Sequence, residues 1–126
     1  MIELILATQI FLMSNLATTP CALVPYENRG CINLDTHEIY IQSTLPKQEQ
    51  YFVLFHEQGH NIMAKQYRVP SLFKNEEYRA DEFGWWMIEK KYNQQNTYIQ
   101  KNGVEDIYFQ LICSKQCVKT LLSIKL

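Results

Sequence analysis

Two histidines and a glutamate stand close enough in this sequence to serve one ion. His56-Glu57-Gln58-Gly59-His60 reads H-E-x-x-H. On a helix, residues four apart lie nearly above one another, so both imidazoles leave from one face and can bind a single zinc. Glu57 follows the first histidine, where its carboxylate reaches a metal-bound water rather than the metal, the general-base position of zinc peptidases. A five-residue pattern also arises by chance, as two surface histidines and a glutamate, so the surroundings must decide.

Those surroundings predict a helix over residues 46–67. Pro46 suits a first turn, with Ser43 or Thr44 nearby for capping. Tyr51, Phe52, Phe55, Gly59, Ile62 and Met63 recur at helical intervals and should bury one side of it. Gly59 costs about 1 kcal/mol in a helix interior, a cost that close approach of a neighbouring element would justify.

Zinc requires a third protein ligand, with the fourth position left to water in a catalytic site. The next donors lie in Asn75-Glu76-Glu77-Tyr78-Arg79-Ala80-Asp81-Glu82-Phe83-Gly84. Glu77 and Asp81 are four apart on a second helix, and Ala80 and Gly84 flank them with small side chains that let two helices approach. Glu77 is therefore the expected third ligand, and Asp81 the carboxylate that orients one histidine. Glu76, rotated by about 100°, falls on the stripe of Phe83 and Met87 and reads as core. The plainer alternative is a solvated charge cluster on a surface helix.

H-E-Q-G-H followed by E-E-Y-R-A-D-E-F-G resembles the ImmA/IrrE family of small zinc metallopeptidases, whose members show H-E-x-G-H and then E-x-x-A-[DN]-x-F-A. The resemblance extends upstream through Arg29 to Asp35 and Glu38 to Ile41, similar to the hairpin before the family's active helix. It covers roughly residues 20–90. Gly84 stands where alanine is usual, and Trp85-Trp86-Met87-Ile88 replaces a leucine-rich ending with its proline. The resemblance implies a gluzincin-like site, with Zn²⁺ on His56, His60 and Glu77 and Glu57 as general base. It also implies a protein substrate, a helix-turn-helix repressor of a phage or mobile element. An additional oxyanion donor stays open among Tyr67, Tyr78, Tyr92 and His37. A zinc-dependent toxin or general peptidase, and a non-catalytic zinc-stabilised binding module, are the alternatives.

The whole chain of 126 residues, 47% hydrophobic, suits a single domain over 1–126. A net charge of −1 with interspersed signs argues against a nucleic-acid surface. Leu4 to Tyr26 carries no charge, but lacks a basic region before it and a cleavage site after it, and polar residues interrupt it. It reads as a buried core helix ending before Thr18, with no membrane expected and a cytoplasmic setting. Cys21–Tyr26, Cys31–Leu34 and Ile39–Ile41 read as three short strands, with a turn at Asp35–Glu38. The expected fold is α+β, a small three-stranded sheet packed against a helical bundle that carries the active helix. His37 falls in the turn and reads as solvated, outside the metal set. Cys113 and Cys117 lie four apart on a last helix from Val104 to about Ile124 and read as reduced core filling. A second zinc site with Cys21 and Cys31 is the less favoured reading, and disulfides are not expected.

Overall fold

The computed structural model describes residues 9–21, 28–33, 35–65, 76–92, 109 and 113–126. Strands β2 (Gly30–Asn33) and β3 (Glu38–Gln42) form an antiparallel hairpin in which Asn33 faces Glu38 and Gly30 faces Ile41. Asn33 closes the turn: its Oδ1 accepts from Asp35 N at 3.0 Å, and its carbonyl accepts from His37 N at 2.7 Å. His37 takes φ 64°, a left-handed conformation that histidine tolerates better than most side chains.

The third strand comes from an unexpected place. β1 (Gln9–Met13) pairs in parallel with β3, giving the order β1-β3-β2. The apolar pattern predicts a core helix here; residues 1–8 fall outside the described residues, and Gln9–Met13 is instead a strand, followed by a 3-10 turn at Leu16–Thr18. A short apolar run fits either period, and the open edge of β3 decides the matter. Phe11 stacks on Tyr40 at 5.2 Å, while its neighbour Ile10 packs into the main core. Of the strand expected over Cys21–Tyr26, Cys21 lies in a turn and residues 22–27 fall outside the described residues.

The sheet follows the period of two on both faces. Ile39 and Ile41, fully buried, face the main core, while Tyr40 joins Leu16 and Cys31 in a smaller cluster on the other side. Helix α1 (Lys47–Lys65) packs against β2 and β3 and also against α2 (Glu76–Tyr92). It is consequently buried all round, not on one side: Val53 and Leu54 are as inaccessible as Phe55 and Ile62. Helix α3 (Lys115–Leu122) packs on α2. The final residues bridge α1 and α2: Tyr51 Oη donates to Ile124 O at 3.1 Å, and Lys91 Nζ donates to Leu122 O at 2.8 Å. The fold is α+β, a mixed three-stranded sheet against helices, as expected. Among the described residues no helix is long and apolar enough to cross a membrane.

The cysteines correct a second expectation. Cys21 is bonded to Cys31 and Cys113 to Cys117, and no described cysteine is free. The expected last helix breaks at Ser114, which caps α3 by accepting from Cys117 N at 3.2 Å. Cys113 therefore sits just before the helix, its Cα 5.3 Å from that of Cys117. The turn after the 3-10 segment brings Cys21 to 6.1 Å from Cys31. Both separations lie in the ordinary range for disulfides.

Candidate metal centre

Close helix packing builds the site. A Cβ at Gly59 would stand 3.2 Å from Phe83 Cδ2 and 3.4 Å from Ala80 Cα, so only a side chain no larger than glycine's leaves this contact unstrained. The approach brings the start of α2 over the histidine face of α1. Glu77 then presents Oε1 at 3.0 Å from His56 Nε2 and Oε2 at 3.0 Å from His60 Nε2. The two imidazoles lie edge to face, 4.8 Å between centroids. Donors about 2.1 Å from a zinc at tetrahedral corners stand about 3.4 Å apart, close to these separations.

The outer nitrogens are also occupied. His56 Nδ1 lies 2.9 Å from Asp81 Oδ1, and His60 Nδ1 lies 2.7 Å from Glu76 Oε2. Each ring thus has a carboxylate oxygen at both nitrogens, yet a neutral imidazole carries a single N–H. Burial is the main reason the His56 pKa falls to about 4; the neighbouring His60 adds to the fall, and Glu77 opposes it. His56 is neutral near pH 7, so one of its nitrogens turns a lone pair toward a carboxylate. A cation between the inner nitrogens and Glu77 removes that mismatch, and the donor set of two imidazoles and a carboxylate fits zinc.

Glu57 is 3% exposed, and burial lifts its carboxyl to about 7, with Glu77 and Asp81 pushing the same way against His60. It shares the neighbourhood of the histidines: His56, Glu57 and His60 offer donor atoms within 4.8 Å of one another. A carboxyl poised near neutrality is suited to taking and returning a proton. Phe52 and Trp85 continue the site as an aromatic wall. Their rings are 4.9 Å apart, Phe52 lies 6.2 Å from His56, and Trp85 is half exposed.

The structure brings His56, Glu57, His60, Glu77 and Asp81 together where the sequence placed them. Glu76 is a correction: expected in the core, it is exposed and bonds His60. The alternative of a solvated charge cluster does not describe this stretch: Glu76, Glu77 and Asp81 meet the histidines, and Arg79 donates to the buried Glu82 at 2.6 Å. His37 is a further correction. It is half buried, with Nδ1 2.7 Å from Oδ1 of the fully buried Asn61, pinning the hairpin tip to α1. A polar side chain one turn after Glu57 on a buried helix was a signal available in the sequence. Of the open oxyanion donors, Tyr67 lies outside the described residues. Comparison with protein-family models, curated proteins and solved structures returns no match.

Proposed function

We propose that the protein is a zinc-dependent peptidase. The observation that carries this reading is the meeting of His56 Nε2, His60 Nε2 and Glu77 beside a buried Glu57 whose pKa is near 7. A zinc ion held by those three residues would supply Lewis-acid polarisation of a peptide carbonyl and acidify a water. Glu57 accepts the proton that water loses as its oxygen bonds to the carbonyl carbon. It then hands that proton to the departing amine nitrogen as the C–N bond breaks. Asp81 holds the His56 ring so that Nε2, not Nδ1, faces the site.

The substrate reading rests on the resemblance to ImmA/IrrE peptidases: a separately encoded protein, a helix-turn-helix repressor of a mobile element, with no nucleic acid bound by this chain. The two disulfides fit an oxidising compartment better than the cytoplasm, so a folded cytoplasmic form would carry these four cysteines as thiols.

The test is zinc content under mild chelation, wild type against Glu77→Ala, followed by co-expression with a neighbouring repressor gene product. One zinc per chain in the wild type, lost in Glu77→Ala, with cleavage abolished in a zinc-replete Glu57→Gln protein, supports the peptidase. A wild type without zinc overturns it. An active Glu57→Gln variant removes Glu57 from the chemistry, whereas zinc binding without cleavage by the wild type leaves a zinc-stabilised binding module as the better account.

A further inference from the structure

We propose that Glu76 is a positioning residue for His60, fixing the ring so that Nε2 is the nitrogen offered to the metal; this rests on the zinc reading of the site. Glu76 and Glu77 are consecutive, about 100° apart on the helix, and they straddle one imidazole. Glu76 Oε2 takes the outer nitrogen at 2.7 Å and Glu77 Oε2 faces the inner one at 3.0 Å. The groups alternate as Glu76, His60, Glu77, His56, Asp81, each contact between 2.7 and 3.0 Å. Each histidine therefore has its own outer carboxylate, and they come from opposite ends of the six-residue stretch Glu76–Asp81 of α2.

The chemistry assigns different tasks to the two neighbours. An Nδ1–H donated to Glu76 leaves the Nε2 lone pair directed at the Glu77 side, the tautomer a metal ligand needs. Glu76 cannot itself ligate an ion shared by the inner nitrogens, because its carboxylate lies across the ring from them. His60 needs this restraint more than His56. The His56 ring is fully buried and held by packing, whereas the His60 side chain is 15% exposed.

A competing role for Glu76 is electrostatic only. An acidic residue in the first turn of a helix stabilises it whatever else it touches. Glu76→Asp separates the two, since it keeps the first-turn charge but withdraws the carboxylate by one methylene. Two readouts apply to Glu76→Asp, Glu76→Ala and wild type. One is Zn²⁺ affinity by chelator competition; the other is the His60 tautomer in metal-free protein by long-range proton–nitrogen NMR. The expected result is a 10- to 100-fold loss of Zn²⁺ affinity in both variants. With it, the His60 proton moves from Nδ1 to Nε2. Wild-type affinity and an Nδ1–H tautomer in Glu76→Asp would overturn the proposal and leave only the helix-end charge. If the wild type bound no zinc, the peptidase reading would fall, and the proposal that Glu76 serves a metal would fall with it. The tautomer experiment would still report whether Glu76 sets the ring.

Discussion

Asp81 sets Oδ1 2.9 Å from Nδ1 of His56, across the ring from the nitrogen that faces Glu77. A ring with one proton cannot satisfy two carboxylates, so the proton goes to the outer one when a cation takes the inner nitrogen. Asp81→Ala should therefore weaken Zn²⁺ binding by about 10- to 100-fold while leaving α2 helical. Chelator competition alongside far-ultraviolet circular dichroism checks both halves of that statement.

Glu57 makes metal-free stability depend on pH. Its carboxyl titrates at about 7 in the folded chain against an ordinary 4.5, so its contribution is complete below about 4.5 and is lost as pH rises through 7. His56 works in the opposite sense. Its pKa is lowered from 6.5 to about 4, so its contribution is present above 6.5 and lost as pH falls towards 4. Between 4.5 and 6.5 the two slopes offset. Glu57→Gln, which mimics the protonated acid, should make the metal-free protein more stable than wild type at pH 8, by up to about 3 kcal/mol. That advantage should shrink to less than about 1 kcal/mol near pH 5. Urea unfolding at the two pH values decides it, and an unchanged difference between them would refute the burial account.

Two helix glycines should respond differently to alanine. At Gly59 the added methyl meets Phe83 Cδ2 at 3.2 Å, and the gain in helix propensity of about 1 kcal/mol offsets the small adjustment. At Gly84 it meets Phe52 Cε1 at 2.8 Å, on a ring already packed against Trp85. Gly84→Ala should cost about 1–2 kcal/mol after that same propensity gain, and Gly59→Ala should be near neutral. Thermal unfolding of the pair makes the comparison. Gly84 is thus matched to its own aromatic neighbour, Phe52.

Asn61→Ala should destabilise the protein by about 1–3 kcal/mol, because it removes the partner of His37 Nδ1 and leaves polar groups unpaired inside. Hydrogen exchange should rise first at Asp35–Glu38, the hairpin tip it anchors, and only later along α1. Equal protection across the hairpin in variant and wild type would show that the turn holds itself.

What the sequence made legible follows the range of the interactions involved. His56, Glu57 and His60 are set by spacing within one helix, and Glu77 and Asp81 by spacing within the next, so periodicity alone aligned them. Glu76 escaped because it is the first residue of α2. Helical side chains lean toward the N-terminus, so at this first position the carboxylate reaches back to His60 and not onto the stripe of Phe83 and Met87. β1 escaped because its partner, β3, begins 25 residues after Met13 ends the strand. No local pattern encodes such a pairing. The Cys113–Cys117 disulfide escaped because the bend at Cys113–Ser114 is a capping event inside an apparently continuous helical pattern, and Cys21–Cys31 because it joins a turn to a strand ten residues on.

Every group assigned to the centre lies between His56 and Asp81, on two helices that are consecutive among the described elements. Such a unit assembles from near neighbours along the chain, the kind of contact that forms fastest in folding. The sheet and α3 lend it burial but no donor atom. It is in that sense portable: a helical pair that could be grafted onto another small scaffold, or shuffled between genes, with its ligand geometry largely intact.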